Sequence, residues 1–120
     1  MGWQGGRAHR RYSRKSMVIE GIQRRVREGD HRFTIHAFER CVERDISPEQ
    51  IKNAILSGEI IEHYPDDKYG PSCLIYGVAK DGKILHVQCS LDPVWVITAY
   101  DPTQEPDEWE EDFKRRRRKS

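Results

Sequence analysis

The stretch Ser47-Pro48-Glu49-Gln50-Ile51-Lys52-Asn53-Ala54-Ile55-Leu56-Ser57-Gly58-Glu59-Ile60-Ile61-Glu62-His63-Tyr64-Pro65 holds the change of period on which the fold turns. Its first four residues are a helix start. Serine takes the N-cap, proline the first helical position, and a glutamine three residues on closes a capping box. Ile51, Ala54 and Ile55 then recur at helical spacing, and Gly58 supplies the stop. From Glu59 the period is that of strands, and Ile60 to Tyr64 reads as the first. It ends in Pro65-Asp66-Asp67-Lys68-Tyr69-Gly70-Pro71, a loop dense in turn formers.

Toward the C-terminus, Asp81-Gly82 lies between two apolar runs and predicts a two-residue hairpin. That turn sets Val78 against Leu85, Tyr76 against Val87 and Leu74 against Cys89 on the apolar side. Gly77 then faces His86 and Cys73 faces Ser90 on the other, so Cys73 and Cys89 point to opposite faces. Val94 to Tyr100 is a continuous apolar run suited to a central strand, ended by Pro102. Beyond it, Asp107 can cap a short terminal helix that docks Trp109 and Phe113.

Toward the N-terminus, Thr34 can cap a helix with an apolar stripe of Ile35, Phe38, Val42 and Ile46, predicted to pack inward. His36, Arg40 and Arg44 form a row facing away from it. A further helix precedes, with Val18, Ile22 and Val26 at helical spacing and a stop at Gly29-Asp30. Three helices followed by four strands give an α+β arrangement, with the N-terminal helices packed on one face of a mainly antiparallel four-stranded sheet.

A chain of 120 residues, 36% apolar and 34% charged, has room for one core. Residues 17–113 form that domain, between a basic arm at 1–16, read as disordered, and a basic tail at 114–120. The arm carries five Lys/Arg and no acid, residues 17–104 carry 10 Lys/Arg against 14 Asp/Glu, and residues 105–120 carry six of each in two blocks. The tail's unbroken Lys114–Lys119 run has the density to neutralise nucleic-acid phosphates but reads first as a solvated, disordered end. No apolar run approaches the roughly 20 residues of a membrane span, and no apolar segment follows the basic start, so a cytoplasmic location is expected. Three cysteines without Cys-x-x-Cys spacing predict reduced thiols.

No phosphate-binding glycine loop, nucleophile elbow or His-Glu-x-x-His pair occurs, and no ligand set for a metal or other cofactor stands out. Three features remain. The His36, Arg40, Arg44 row offers an imidazole and two permanent cations, suited to gripping and protonating a phosphodiester, unless the arginines merely pair with Glu39 and Glu43. His86 sits on the sheet face turned from Leu85 and Val87. Tyr64 and Lys68, on the loop after the first strand, could meet a phosphate or stack on a base.

Phe33-Thr34-Ile35-His36-Ala37-Phe38-Glu39-Arg40-Cys41-Val42-Glu43-Arg44-Asp45-Ile46-Ser47, then Glu59-Ile60-Ile61-Glu62-His63-Tyr64-Pro65 and Thr98-Ala99-Tyr100-Asp101-Pro102, with Trp109 beyond, resembles the domain of unknown function 4258 family. The resemblance covers about residues 17–110. One departure is Asp45, where the family pattern has glycine, which suggests a less strained helix end. Members look like small relatives of RelE-type and MqsR-type toxins, which cleave messenger RNA without a metal, and some are encoded beside zinc-finger antitoxins. The resemblance therefore implies a RelE-like sheet and an endoribonuclease toxin that cleaves by 2′-hydroxyl attack. RNA and a small antitoxin protein would be its partners. In that reading His36 or His86 is the acid/base and Arg40 and Arg44 hold phosphate, while Tyr64, Lys68 and Tyr100 contact substrate. The same faces also fit a non-catalytic protein-interaction domain.

Overall fold

Both helix starts marked in the sequence form through side-chain caps. The Thr34 hydroxyl accepts the Ala37 N–H at 2.9 Å, and Ser47 and Gln50 close a complete capping box at 2.9 and 3.1 Å. The computed structural model describes residues 14–68 and 70–118, with Arg14 and Lys15 described in backbone only. Its elements are α1 (Arg14–Arg27), β1 (Arg32–Phe33), α2 (Ile35–Arg44), α3 (Pro48–Ser57), β2 (Glu59–Tyr64), β3 (Ser72–Val78), β4 (Ile84–Ser90) and β5 (Trp95–Tyr100). The expected boundary after Ser16 thus falls within α1, and residues 1–13 of the expected arm lie outside the described residues. The fold is α+β, with three helices on a mixed, mostly antiparallel sheet of order β1-β5-β4-β3-β2.

The sheet has five strands, where four were expected. Arg32 and Phe33 run parallel to Trp95 and Val96, because the Arg32 and Thr34 N–H groups donate to the carbonyls of Val94 and Val96 at 3.1 and 3.0 Å. A two-residue strand is too short to leave a period in the sequence.

The β3–β4 register is one residue from expectation. The loop is three residues long, Lys80-Asp81-Gly82, with Gly82 left-handed at φ 90° and its N–H on the Ala79 carbonyl at 2.9 Å. The Asp81 carboxylate further fixes it by accepting the Lys83 N–H at 3.0 Å. A one-residue slip exchanges the faces of one strand. Ile75 now pairs with Val87, Tyr76 with His86, and Cys73 with Cys89. The two cysteines therefore share the core face, contrary to expectation, and remain free thiols, as does Cys41. Gly77 belongs to the helix face as well, where a Cβ would lie 1.8 Å from the Ala54 carbonyl oxygen. A glycine there lets α3 lie directly on β3.

The core fills the space between the sheet and α1 and α3, with Ile22, Val26, Ile51, Ile55, Ile75, Leu85 and Val87 at most 1% exposed. Helix α2 packs on β5 through its smallest residues, Ala37 and Cys41. Its expected inward stripe points the other way: Ile35, Phe38 and Val42 are 79, 59 and 67% exposed, and only Ile46, past the helix end, is buried. Small residues let the helix approach the sheet, which the larger ones would hold off. Asp45 ends α2 at φ 55°, ψ 47°, with its N–H on the Cys41 and Val42 carbonyls. It adopts the left-handed conformation that glycine favours, so the expected relief of strain is absent.

After β5 the chain makes two short 3-10 turns, Pro102–Gln104 and Pro106–Glu108, and folds back over the sheet face opposite the helices. The expected terminal helix does not form. Trp109 bridges to Arg116 in antiparallel fashion instead, and Phe113 turns the chain at φ 57°. This strap places Trp109 at 2% exposure against the sheet.

Candidate functional site

Alternation along β4 sends Leu85, Val87 and Cys89 to the core and His86 to the strap side. There His86 is fully buried among aromatic rings: Trp109, Tyr100 and Tyr76 have centroids 4.4, 5.2 and 6.2 Å away. Its Nε2 lies 2.6 Å from the Phe113 carbonyl oxygen, which can only accept. The proton therefore resides on Nε2, and Nδ1 accepts the Tyr100 hydroxyl at 3.1 Å. Burial holds the imidazole below its ordinary pKa, against the opposing pull of the Phe113 carbonyl. Burial likewise pushes the Tyr100 phenol up to about 12. At neutral pH the pair is a neutral imidazole gripping the proton of a neutral phenol.

Tyr100 carries this pair to the surface. It lines a concave pocket of about 520 Å³ together with Arg44, Lys83 and Arg116 as cations and Asp101, Glu105 and Glu108 as acids. Arg44 is tied to β5, its Nη1 donating to the Ala99 carbonyl at 2.8 Å. Arg116 comes from the strap, 4.6 Å above the Trp109 ring, and donates to both Glu62 oxygens at 2.8 and 3.2 Å. That contact holds its pKa above the usual arginine value. The Tyr64 hydroxyl donates to the same Glu62 carboxylate, and burial with this bond raises the phenol's pKa. Lys114 pairs with Glu59 at 2.9 Å and sits 4.9 Å over the Tyr76 ring.

Of the residues expected from sequence, the structure brings together His86, Tyr100 and Arg44. Tyr64 joins them through Glu62 and Arg116. His36 and Arg40 stand apart. His36 is exposed on α2, and Arg40 donates to Glu43 at 2.8 and 2.9 Å, which is the pairing that competes with phosphate binding. Lys68 is exposed on the β2–β3 loop and does not line the pocket. The sequence reading missed Glu62, Lys83 and Arg116. The uninterrupted Lys114–Lys119 run was visible, but not its return onto acidic β2. Cys41 and Cys89 offer no nucleophile: burial raises the first thiol's pKa, and the bond to Cys73 together with burial raises the second's.

Among the described residues no group of three or more His, Cys, Asp or Glu could hold a metal ion, and no helix is long and apolar enough to cross a membrane. The family model described as Domain of unknown function (DUF4258) matches residues 33–101. No curated protein and no solved structure matches the chain.

Proposed function

Because this chain belongs to the DUF4258 family over more than half its length, a membership that names no activity, we propose from the geometry that it is a metal-independent endoribonuclease, with RelE-type toxins as the chemical analogy and RNA as substrate. The observation that carries the reading is Tyr100, which lines a pocket flanked by Arg44, Lys83 and Arg116 and whose hydroxyl donates to the buried neutral imidazole of His86.

Cleavage by 2′-hydroxyl attack needs a proton acceptor at the nucleophile, a donor at the leaving 5′-oxygen and cations on the phosphate. Here the 2′-hydroxyl proton passes to the Tyr100 oxygen as the Tyr100 proton passes to His86 Nδ1. The resulting imidazolium keeps its Nε2–H on the Phe113 carbonyl. Return of the proton along the same path protonates the leaving oxygen, so the relay ends as it began. Arg44 and Lys83 bind the phosphoryl oxygens, while Arg116, held on Glu62, adds positive charge to the wall. The three carboxylates in the lining restrict binding to a pose that keeps the phosphate near Arg44 and Lys83.

The test is incubation of the folded protein with single-stranded RNA in excess chelator. Cleavage leaving 2′,3′-cyclic phosphate ends is expected, with a loss of roughly 10²-fold or more in Tyr100→Phe and a comparable loss in Arg44→Ala. Intact RNA with wild-type protein, or full activity in both variants, overturns the reading. A small antitoxin protein fits as partner within it. One observation favours a non-catalytic interaction domain instead: the outward apolar stripe of α2.

A further inference from the structure

Charge along the chain is bipolar. Residues 1–32 carry nine Lys/Arg against three Asp/Glu, and residues 33–120 carry 12 against 17. The Tyr100 pocket belongs to the acidic part, so a polyanion reaching it needs attraction from elsewhere. Within the basic part, Arg25 is answered by Asp92 at 2.6 Å. Arg24, Arg27 and Arg32 are exposed, and among the described residues none of the three has a carboxylate partner. Arg24 and Arg27, at i and i+3, share one face of α1, with Cβ atoms about 5–6 Å apart. The chain then turns at once: the Glu28, Gly29 and Asp30 N–H groups donate to the Arg24, Val26 and Arg25 carbonyls at 3.1, 3.1 and 2.8 Å. Arg32 follows on β1, so all three arginines stand around one corner of the molecule. The helix dipole accounts for cations in the last turn of α1, but not for Arg32 on a strand. Glu28 and Asp30 are exposed in the turn and leave the corner positive.

We infer that this corner of α1 and β1 binds the sugar-phosphate backbone of single-stranded RNA outside the scissile link, each arginine neutralising one phosphate. The choice of RNA rests on the endoribonuclease reading, and the choice of a polyanion rests on the charges alone. Arg32 pairs with Trp95, five residues along β5 from Tyr100, which is about 17 Å at the rise of a strand. A few nucleotides of extended strand cover that distance. Exposed arginines set apart on a surface suit a flexible chain of charges, whose binding releases counterions and falls steeply with salt. An anionic membrane is the poorer match, because the apolar residues of α1 here, Ile22 and Val26, are 1% exposed and leave no apolar face to insert. The corner uses no residue of the Tyr100 pocket, and its test reads binding, not cleavage.

Fluorescence anisotropy of the full chain with a labelled 2′-O-methyl oligonucleotide, which 2′-hydroxyl attack cannot cleave, tests it. The triple variant Arg24→Gln, Arg27→Gln, Arg32→Gln is expected to bind roughly tenfold or more weakly at about 50 mM salt, and to reduce the slope of log affinity against log salt by about 2. Its circular dichroism spectrum should be unchanged, since all three side chains are exposed. Arg32→Gln alone should reduce the slope by about 0.7, which decides the matter if the triple variant does not fold. Binding by the wild type without cleavage of unmodified RNA would end the nuclease reading and leave this surface standing. No binding by the wild type, an unchanged slope and affinity in the folded variants, or tighter binding to phosphatidylserine vesicles than to the oligonucleotide overturns the proposal.

Discussion

His86 has both ring nitrogens engaged and no exposed surface, so a proton taken up from solvent puts a net positive charge in an apolar site and forces the Tyr100 hydroxyl to turn. Its folded pKa is lowered by burial, while the unfolded chain returns it to about 6.5. The unfolded state therefore binds the proton first as pH falls. Stability is complete above about pH 6.5 and is lost below it, with a slope that approaches but does not exceed about 1.4 kcal/mol per pH unit. His31, also held low by burial and then by Lys52, acts in the same direction. Urea unfolding between pH 7.5 and 5 should show this loss in the wild type. It should be reduced in His86→Gln, whose amide can still donate to Phe113 and accept from Tyr100. Parallel profiles would remove the neutral buried imidazole from the account. His86's face was legible from strand alternation, because β4 keeps a period of two. Its burial was not, because the lid comes from residues 109–116, more than twenty positions away and without a strand or helix period of their own.

Elements whose signals are local were read closely: the Thr34 and Ser47 caps, the Gly58 stop and the order of α1 to α3 and β2 to β5. Errors arose where one residue decides between two arrangements. Asp81-Gly82 fits both a two- and a three-residue hairpin, and the choice exchanged the faces of β3. In α2 the period located an apolar stripe but carried no information on which side the sheet occupies. Ala37 and Cys41, the small residues, held that information. The consequence for β3 and α3 is measurable. Gly77→Ala puts a methyl 1.8 Å from the Ala54 carbonyl, where only a shift of the whole helix relieves the clash. A loss of about 3 kcal/mol or more is expected from overpacking against backbone. Gly82→Ala meets nothing within 4 Å and bears only the strain of its φ of 90°, about 1 kcal/mol. Denaturant midpoints for the pair decide it. Equal losses would mean that α3 does not rest on β3 at Gly77.

At the scale of the molecule, the basic block that follows Phe113 finds acid within the fold. The basic end of the strap returns to acidic β2, with Lys114 on Glu59 and Arg116 on Glu62. These contacts decide where the strap lies more than how firmly it is held. Exposed ion pairs contribute about 0–1 kcal/mol each and weaken further as salt shortens the Debye length to about 3 Å at 1 M. Trp109, by contrast, is 2% exposed, edge-on to His86 and covered by Arg116. Truncating a buried aromatic of this size costs about 3–5 kcal/mol. Trp109→Ala should therefore lower the melting temperature far more than Lys114→Ala and Arg116→Ala together, which remove only exposed ion pairs. Moving the wild type from 0.1 to 1 M salt should reproduce only the smaller effect. Melts of the three proteins at both salt concentrations separate the terms. A larger loss from the charge variants than from Trp109→Ala would mean that electrostatics, not the indole, seats the strap. The Tyr100 pocket would then open with rising ionic strength, since two of its walls, Trp109 and Arg116, belong to the strap.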